Sequence, residues 1–361
     1  MPEAPIHNTA PSQADALTKR LPQSRKVFWI VGLLVIAGVA VLAWFRVGML
    51  DLPAVPGGLT LKTAGLADLQ QMKELNALIW SEPQSGSSSP NAGALPEAAR
   101  LVQNGIADYR RGDTTAALDA MRRGIRLDPK NLVLANAYRM VVFRLRRDFL
   151  AASRRALAVT PKFPPELDGQ PIAFFEELDR QHASRETKLH LALAWVDEML
   201  LFPALEIKAP ASVQSVDLLT QVIDKDDPAY VPALFARGLN HLHRPARLVW
   251  PESARTPKDA AARDIGRCVA IGRRLGAGSA RLQATLALCL GDAYVKAGRL
   301  NVARSWWQIT QNLCRDEDLQ TAVRRRYAWQ NEEILDRLED ELDRGRSELD
   351  HPMTDLALMW N

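Results

Sequence analysis

The sequence predicts an all-α protein in which one transmembrane helix precedes an array of helical hairpins. Three observations support this prediction. Aromatic residues make up only 6% of the 361 residues, and Ala, Leu and Arg recur with few β-branched runs, which favours helix almost throughout. Apolar residues return at three- and four-residue spacing along most of the chain. The stretch from Val27 to Phe45, 19 residues long, carries no charged side chain.

The uncharged stretch has the length of a membrane span, since 19 residues at 1.5 Å each cover roughly 28 Å. Trp29 and Trp44 lie near its ends, where indole rings favour the lipid headgroups. Four basic residues between positions 19 and 26 precede it and the single Arg46 follows, which predicts a cytoplasmic N-terminus. A cleaved signal peptide is the alternative, but its apolar core is normally about 7–15 residues and is followed by small residues.

These features divide the N-terminal part of the chain. Residues 1–26 are predicted to be a disordered basic tail in the cytoplasm, and 27–46 the membrane helix. Residues 47–97 are predicted to be a linker that contains one amphipathic helix at 64–81. In a bacterial export pathway, this predicts a single-pass protein of the inner membrane whose C-terminal part lies in the periplasm.

Residues 98–131 carry the clearest pattern in the chain. They read as two short amphipathic helices, split at Gly112 and ended by Pro129, which cannot continue a helix. Gly105 stands where a larger side chain would hold the second helix away. This hairpin of 34 residues resembles a tetratricopeptide repeat at most of the signature positions. One such hairpin cannot bury its apolar face alone, so neighbouring hairpins are expected.

Two further stretches are similar to the same repeat. Residues 280–311 place Gly291 in the first helix and Gly298 in the turn, with Ala303 and Trp307 at the small and bulky positions of the signature. Gly238 stands at the close-packing position of a helix in the middle of the chain. The interval from Gly105 to Gly238 is 133 residues, close to four repeat lengths, which predicts that the sequence between them is in phase.

The sequence between these repeats predicts eroded units. The expected elements are a degenerate hairpin at 132–161, a helical pair at 172–182 and 186–202, a loop at 203–212, and helices at 213–223, 230–242 and 259–275. Residues 98–315 are therefore predicted to form a tetratricopeptide-like α-solenoid with irregular insertions.

Residues 316–361 are predicted to be a charged capping helix and an apolar tail. A single helix over 317–346 has a narrow apolar stripe, which suits the end of an array because one face covers the last repeat and the others meet water. The tail MTDLALMWN is expected either to tuck into the array or to be offered to a partner.

The sequence contains no convincing catalytic constellation, so we predict that the protein is not an enzyme. GxSxG and SxxK nucleophile motifs are absent, and the helical carboxylates lie among exposed charges. His241 and His243, two apart on a helix, point to different faces and are poor joint metal ligands. We expect no metal and no cofactor. The net charge of +4, from 46 basic and 42 acidic residues, does not indicate nucleic acid as a partner.

The three cysteines, Cys268, Cys289 and Cys314, are too few for a disulfide-dense scaffold, and no CxxC motif occurs. Each lies in an apolar helical pattern, which favours buried thiols. One disulfide is the alternative if this part of the chain is exported.

The resemblance to tetratricopeptide repeats implies protein–protein binding. Such arrays present a concave groove, lined by the first helix of each hairpin, to a peptide or a partner helix. The candidate groove residues are polar, at helical spacing and opposite the packing face: Asn104, Asp108, Arg111, Arg237, Asn240, Asp292 and Lys296. A solvated helix face is the alternative for all seven.

Together these features predict a membrane-anchored scaffold, assembly factor or chaperone that binds a protein or peptide partner at the periplasmic face of the inner membrane. It resembles single-span repeat proteins that assist translocated proteins, cytochrome maturation or envelope complexes. The alternative is a dedicated, non-catalytic accessory subunit of a respiratory or envelope enzyme complex.

Overall fold

All regular secondary structure in the described residues is helical, which confirms the predicted all-α fold class. The computed structural model describes residues 52–55, 57–67, 69–81, 95–156, 162–202, 205–245, 257–347 and 355–360. Their α-helices are α1 (Leu69–Trp80), α2 (Glu97–Arg110), α3 (Thr114–Leu127), α4 (Leu132–Ala156), α5 (Ile172–Gln181), α6 (Arg185–Leu201), α7 (Leu205–Gln221), α8 (Val231–His243), α9 (Ala260–Leu275), α10 (Ala280–Lys296), α11 (Leu300–Leu313), α12 (Glu317–Ala328) and α13 (Ile334–Ser347). A π-helical turn, Val222–Asp226, follows α7, and a 3-10 helix spans Leu356–Met359.

Local signals at the helix ends agree with these bounds. The side chain of Asp113 accepts a hydrogen bond from the backbone N–H of Ala116 at 3.0 Å, and thereby caps α3. The hydroxyl of Ser279 caps α10 in the same way. Gly112 and Gly298 turn the chain within the hairpins α2–α3 and α10–α11 with φ angles of +83° and +77°, values that a residue with a Cβ rarely adopts.

Glycines allow the two helices of a hairpin to cross closely. A Cβ added at Gly105 of α2 would lie 2.4 Å from Cγ of Met121 in α3. A Cβ at Gly291 of α10 would lie 2.5 Å from Cδ1 of Trp307 in α11. At Gly238 of α8, the corresponding atom would lie 2.7 Å from a side-chain carbon of α9. The predicted close-packing role of Gly105 and Gly238 is confirmed, and Gly291 has the same role.

The helices pack in a regular order. The strongest contacts join α2 to α3, α6 to α7, α8 to α9 and α10 to α11, each pair as a hairpin. Alternate helices also touch: α2 contacts α4, α4 contacts α6, α6 contacts α8, α8 contacts α10, and α10 contacts α12. We call these six helices the alternate-helix row. One apolar cluster extends through the hairpins from Ala64 to Trp360.

The predicted hairpin at 132–161 is wrong, because a single helix, α4, covers Leu132–Ala156. No Gly or Pro interrupts this stretch, so nothing in it ends a helix. Arg146, in the middle, donates to the carboxylate of Glu198 on α6 and to the carbonyl of Gln170 at 2.8 Å, which joins α4 to α6 and to the loop before α5. As a consequence, Gly105 on α2 and Gly238 on α8 are three hairpin steps apart among the described helices, where the sequence predicts four repeats.

The loop predicted at 203–212 is also wrong, since α7 begins at Leu205 and contains Pro210 near its start. The single helix predicted over 317–346 is broken into α12 and α13. The chain reverses between α12 and α13, as the hydrogen bond from Arg326 to Glu341 at 2.9 Å shows. In a continuous helix, these two residues would be about 22 Å apart.

Residues 52–55 and 57–67, within the predicted linker 47–97, lie against the helices. The backbone N–H of Val231 donates to the carbonyl of Ala64 at 3.0 Å, and Arg185 donates to the carbonyl of Thr63 at 3.1 Å. Farther back, Arg274 of α9 donates to the carbonyl of Val55 at 3.0 Å. This part of the linker therefore packs on α6, α8 and α9.

Within the part of the chain that the structure describes, no helix is long and apolar enough to cross a membrane. The predicted span at 27–46 and the predicted tail at 1–26 lie outside that part. The membrane anchor therefore stays a prediction from the sequence.

Candidate protein-binding face

The candidate site is the alternate-helix row, and the seven predicted groove residues all lie on it or at its helix ends. Three of them are on α2 and at its C-terminus. Asn104 and Arg111 are exposed, and Arg111 forms an ion pair with the half-buried Asp108. These three side chains are accessible to a partner.

Arg237 of α8 is engaged within the fold. Its guanidinium makes two parallel bonds to the buried carboxylate of Asp264 on α9, at 2.7 and 2.8 Å, and a third to the hydroxyl of Thr220 at 3.0 Å. Burial alone lowers the pKa of Arg237, but the hydrogen bonds and the charge of Asp264 raise it. Arg237 thus links α8 to α9 and α7.

Asn240 lies one turn further along α8 and is buried. Its Oδ1 accepts a hydrogen bond from the hydroxyl of Ser212 on α7 at 2.8 Å. Its Nδ2 has no hydrogen-bond partner among the described residues. Asn240 therefore contacts the neighbouring helix of the fold.

Asp292 of α10 is at the centre of a buried ion pair. Both of its oxygens accept from Arg326 of α12 at 2.6 Å, and Oδ1 also accepts from the indole N–H of Trp307 at 3.0 Å. Burial lowers the pKa of Arg326, but the charge of Asp292, with that of Glu341, raises it above its ordinary value. Two neighbouring helices are thereby fixed to α10.

Lys296 ends α10 and joins three elements. Its ammonium donates to the carbonyl of Leu242 at 2.7 Å and to that of Arg244, which satisfies carbonyls at the C-terminal end of α8. The same ammonium lies 2.7 Å from Oε1 of Glu339 on α13. Lys296 is thus covered by α13.

The structure also contains a buried polar network that the sequence interpretation missed. Arg139 of α4 is fully buried and lies 2.8 Å from Asp197 of α6, and its Nε donates to Nδ1 of His190 at 3.4 Å. Its Nη2 donates to Oδ1 of Asn136 at 3.1 Å. Burial, together with the charge of Arg139, holds the pKa of His190 well below its ordinary value. The available signal was the presence of isolated polar residues in the apolar sequences of α4 and α6.

The network extends to the tail of the chain. Nδ2 of Asn136 donates to Oδ1 of Asp355 at 2.7 Å, and Oδ1 of Asn136 accepts from the backbone N–H of Leu356 at 3.0 Å. Leu356, Met359 and Trp360 are buried, with 3%, 4% and 5% of their surface exposed. The tail was expected either to pack within the fold or to be offered to a partner, and these residues pack within the fold.

The candidate metal ligands and the cysteines of the sequence lie among the described residues. In the described residues, no group of three or more His, Cys, Asp or Glu side chains is arranged to hold a metal ion. Cys268, Cys289 and Cys314 are all free thiols. Burial raises the pKa of the Cys289 thiol to about 12 and also raises that of Cys268, so neither is a reactive thiolate at neutral pH.

Comparison of the chain with protein-family models and with curated proteins gives no match. The fold and the contacts above are therefore the basis for the function proposed next.

Proposed function

We propose that this chain is a non-catalytic scaffold or assembly factor that binds a protein partner through a tetratricopeptide-like α-solenoid. The observation that carries the proposal is a close helix crossing that recurs in three hairpins. Gly105, Gly238 and Gly291 each allow a close crossing within a hairpin, and the first helices of successive hairpins touch one another. This is the arrangement by which repeat arrays bury a continuous core and present one row of helices to a partner.

The contacts of the polar residues limit where a partner could bind. Arg237, Asp292 and Lys296 each bind a neighbouring helix, so their charges are used to hold the fold. Of the seven candidates, Asn104, Asp108 and Arg111 remain open to a partner, on α2. The first hairpin is therefore the proposed point of first contact.

The proposed location is the periplasmic face of a bacterial inner membrane, reached through a span at 27–46. The proposal rests on the length of that stretch and on the basic residues before it. A reporter that is active only in the cytoplasm, fused after Asn361, is expected to be inactive. An active reporter would contradict the exported orientation.

In-membrane photocrosslinking tests the partner-binding role. A photoreactive residue at Asn104, on α2, is expected to crosslink to a discrete partner, whereas one at Arg123, exposed on the second helix α3, serves as the matched control. Crosslinks of equal yield at both positions, or none at Asn104, would contradict binding through the first helices. Crosslinking to one enzyme complex in fixed stoichiometry would instead favour the accessory-subunit function.

A further inference from the structure

The C-terminal segment, defined as α13 with residues 355–360, lies on the alternate-helix row. α13 contacts α8 and α10, and the 3-10 helix Leu356–Met359 contacts α4 and α1. Leu338 and Leu342 of α13 are buried beneath it. The described parts of the segment thus cover three of the six helices in the row.

Two polar anchors hold α13 in this position. Glu339, whose side chain is 9% exposed, lies 2.7 Å from the ammonium of Lys296 on α10. Arg326 of α12 donates to Glu341 at 2.9 Å. Acidic side chains of the segment therefore meet basic side chains of the helices beneath.

Asn136 gives the tail the contacts of a bound peptide. Its amide donates to the carboxylate of Asp355 and accepts from the N–H of Leu356. One side chain thus binds both an acidic residue and the backbone that follows it. Asp355 in turn accepts from the N–H of Ala357 at 2.9 Å, which sets the turn of the 3-10 helix. Leu356, Met359 and Trp360 then fill the apolar surface beside Asn136.

The receptor side of this contact is built independently of the tail. Arg139 orients Asn136 through its bond to Oδ1, and Asp197 and His190 hold Arg139 in turn. The charge of Arg139 is compensated by Asp197 on α6, so removal of the tail leaves no uncompensated buried charge there. The site is therefore expected to keep its geometry when the tail leaves.

The tail side of the contact is small. Its described 3-10 helix is one turn, and the buried indole Nε1 of Trp360 has no hydrogen-bond partner among the described residues. A buried donor without a partner weakens the contact to which it belongs. A segment that satisfied this donor would compete with the tail.

From these contacts we infer that the tail is a displaceable occupant of the Asn136 site, and that the partner binds there with a protein segment of the same chemistry. That segment has an acidic residue followed by one helical turn with apolar and aromatic side chains. The inference rests on the proposed function in one respect, since it assumes that the row binds a protein. Binding through α2 alone would leave the tail in place.

The test uses the full-length chain in detergent and an N-acetylated, labelled peptide of residues 355–360, DLALMW. The attached tail acts at a high effective concentration, so the wild-type chain is expected to bind the peptide weakly. Leu356→Asp puts an unpaired charge at a buried position and releases the tail. This variant is expected to bind the peptide at least tenfold more tightly by fluorescence anisotropy.

The double variant Leu356→Asp with Asn136→Ala is expected to lose that gain. Leu335→Asp, at a more exposed position of α13, is the matched control and keeps the wild-type affinity. Far-UV circular dichroism of each variant verifies that the helices are formed. Equal peptide binding by the wild type and Leu356→Asp, or by Leu356→Asp and the double variant, would overturn the inference.

The peptide is the chain's own sequence, so this test is independent of any partner. If the peptide binds as expected but Asn104 crosslinks to no protein, the proposed function fails and the tail site stands. If a partner crosslinks equally to wild type and to Leu356→Asp, and the peptide binds neither, the function stands and the inference fails.

Discussion

At the scale of single residues, the polar side chains of the alternate-helix row are mostly bonds between helices. Asp292 and Arg326 illustrate this best, because both are buried, with 3% and 4% of their surface exposed. A buried charge is tolerated only when it is paired and hydrogen-bonded. Buried ion pairs therefore help to hold the row together, and removing one partner of such a pair leaves the other charge buried without it.

Asp292→Ala is expected to lower the free energy of unfolding by about 3–5 kcal/mol, because it leaves the guanidinium of Arg326 buried with half of its partners. Urea denaturation measures the change. Asp119→Ala is the control, since the Asp119 side chain is 68% exposed and its pair with Arg122 is worth about 1 kcal/mol or less. A loss at Asp292 no larger than that at Asp119 would contradict the buried-pair interpretation.

Two histidines are expected to make the stability depend on pH. Burial and the charge of Arg139 hold the pKa of His190 well below 6.5, and burial with the charge of Arg244 lowers that of His241 to about 3. In the unfolded chain both titrate near about 6.5. The unfolded state therefore binds more protons in acid, so stability is full above about pH 6.5 and falls as the pH drops. At pH 5 His241 is expected to cost about 2 kcal/mol, and His190 changes the stability in the same direction.

The measurement is the urea midpoint of unfolding between pH 5 and 7.5. His190→Asn places a side-chain oxygen where Nδ1 accepts from Arg139 but removes the titrating group, so a shallower pH dependence is expected. His182→Asn, at an exposed position, is the matched control and keeps the wild-type slope. An unchanged slope in His190→Asn would show that another group is responsible.

At the scale of elements, the glycine crossings decide how closely hairpins pack. Gly105→Ala would place a Cβ 2.4 Å from Cγ of Met121 and 2.7 Å from the backbone oxygen of Ala117, and the backbone atom cannot rotate away. We expect a loss of about 1–3 kcal/mol in the free energy of unfolding, as is typical of overpacking.

Gly272→Ala is the matched control for this prediction. Gly272 is also helical, in α9, but its added Cβ would meet the carbonyl of Ala277 at 3.6 Å, which is ordinary contact. Because Ala favours helix over Gly by about 1 kcal/mol, this variant is expected to be neutral or more stable. Thermal unfolding of both variants compares them, and similar losses would contradict the close-crossing role of Gly105.

The elements that the sequence predicted well are those with strong local signals. Gly105 with Gly112, and Gly291 with Gly298, mark a close crossing and a turn at fixed spacing, and both hairpins formed as expected. Local signals were weak where predictions failed. No Gly or Pro breaks the helix around Arg146, whereas the break between α12 and α13 brings Arg326 to Glu341, a contact that periodicity does not reveal.

The candidate site was harder to predict for the same reason. Asn104 and Asp292 are both polar residues beside the close-crossing glycine of a first helix, yet Asn104 is exposed and Asp292 is buried and paired with Arg326 of α12. The difference depends on which distant helix covers each position. Likewise, Asn136 stands out only once Asp355, 219 residues later in the chain, lies beside it.

At the scale of the whole molecule, segments from both ends of the described region connect hairpins that are far apart in sequence. Arg274 binds the carbonyl of Val55 across 219 residues, and Asn136 binds Asp355 across the same separation. In a plain repeat array each unit contacts only its neighbours, so its stability is close to a sum of local terms. These long-range bonds couple the first hairpins to the last ones.

Native-state hydrogen exchange measures this coupling. In the wild type, the slowest amides of α4 and of α10 are expected to exchange through the same cooperative opening. Asn136→Ala removes both bonds to the tail, so α4 is expected to open at a lower free energy than α10, by about 1–3 kcal/mol. Asn104→Ala, exposed on α2, is the control and keeps the two helices coupled. If Asn136→Ala lowers α4 and α10 equally, the bond serves global stability, and the long-range contact does not set the cooperativity of the array.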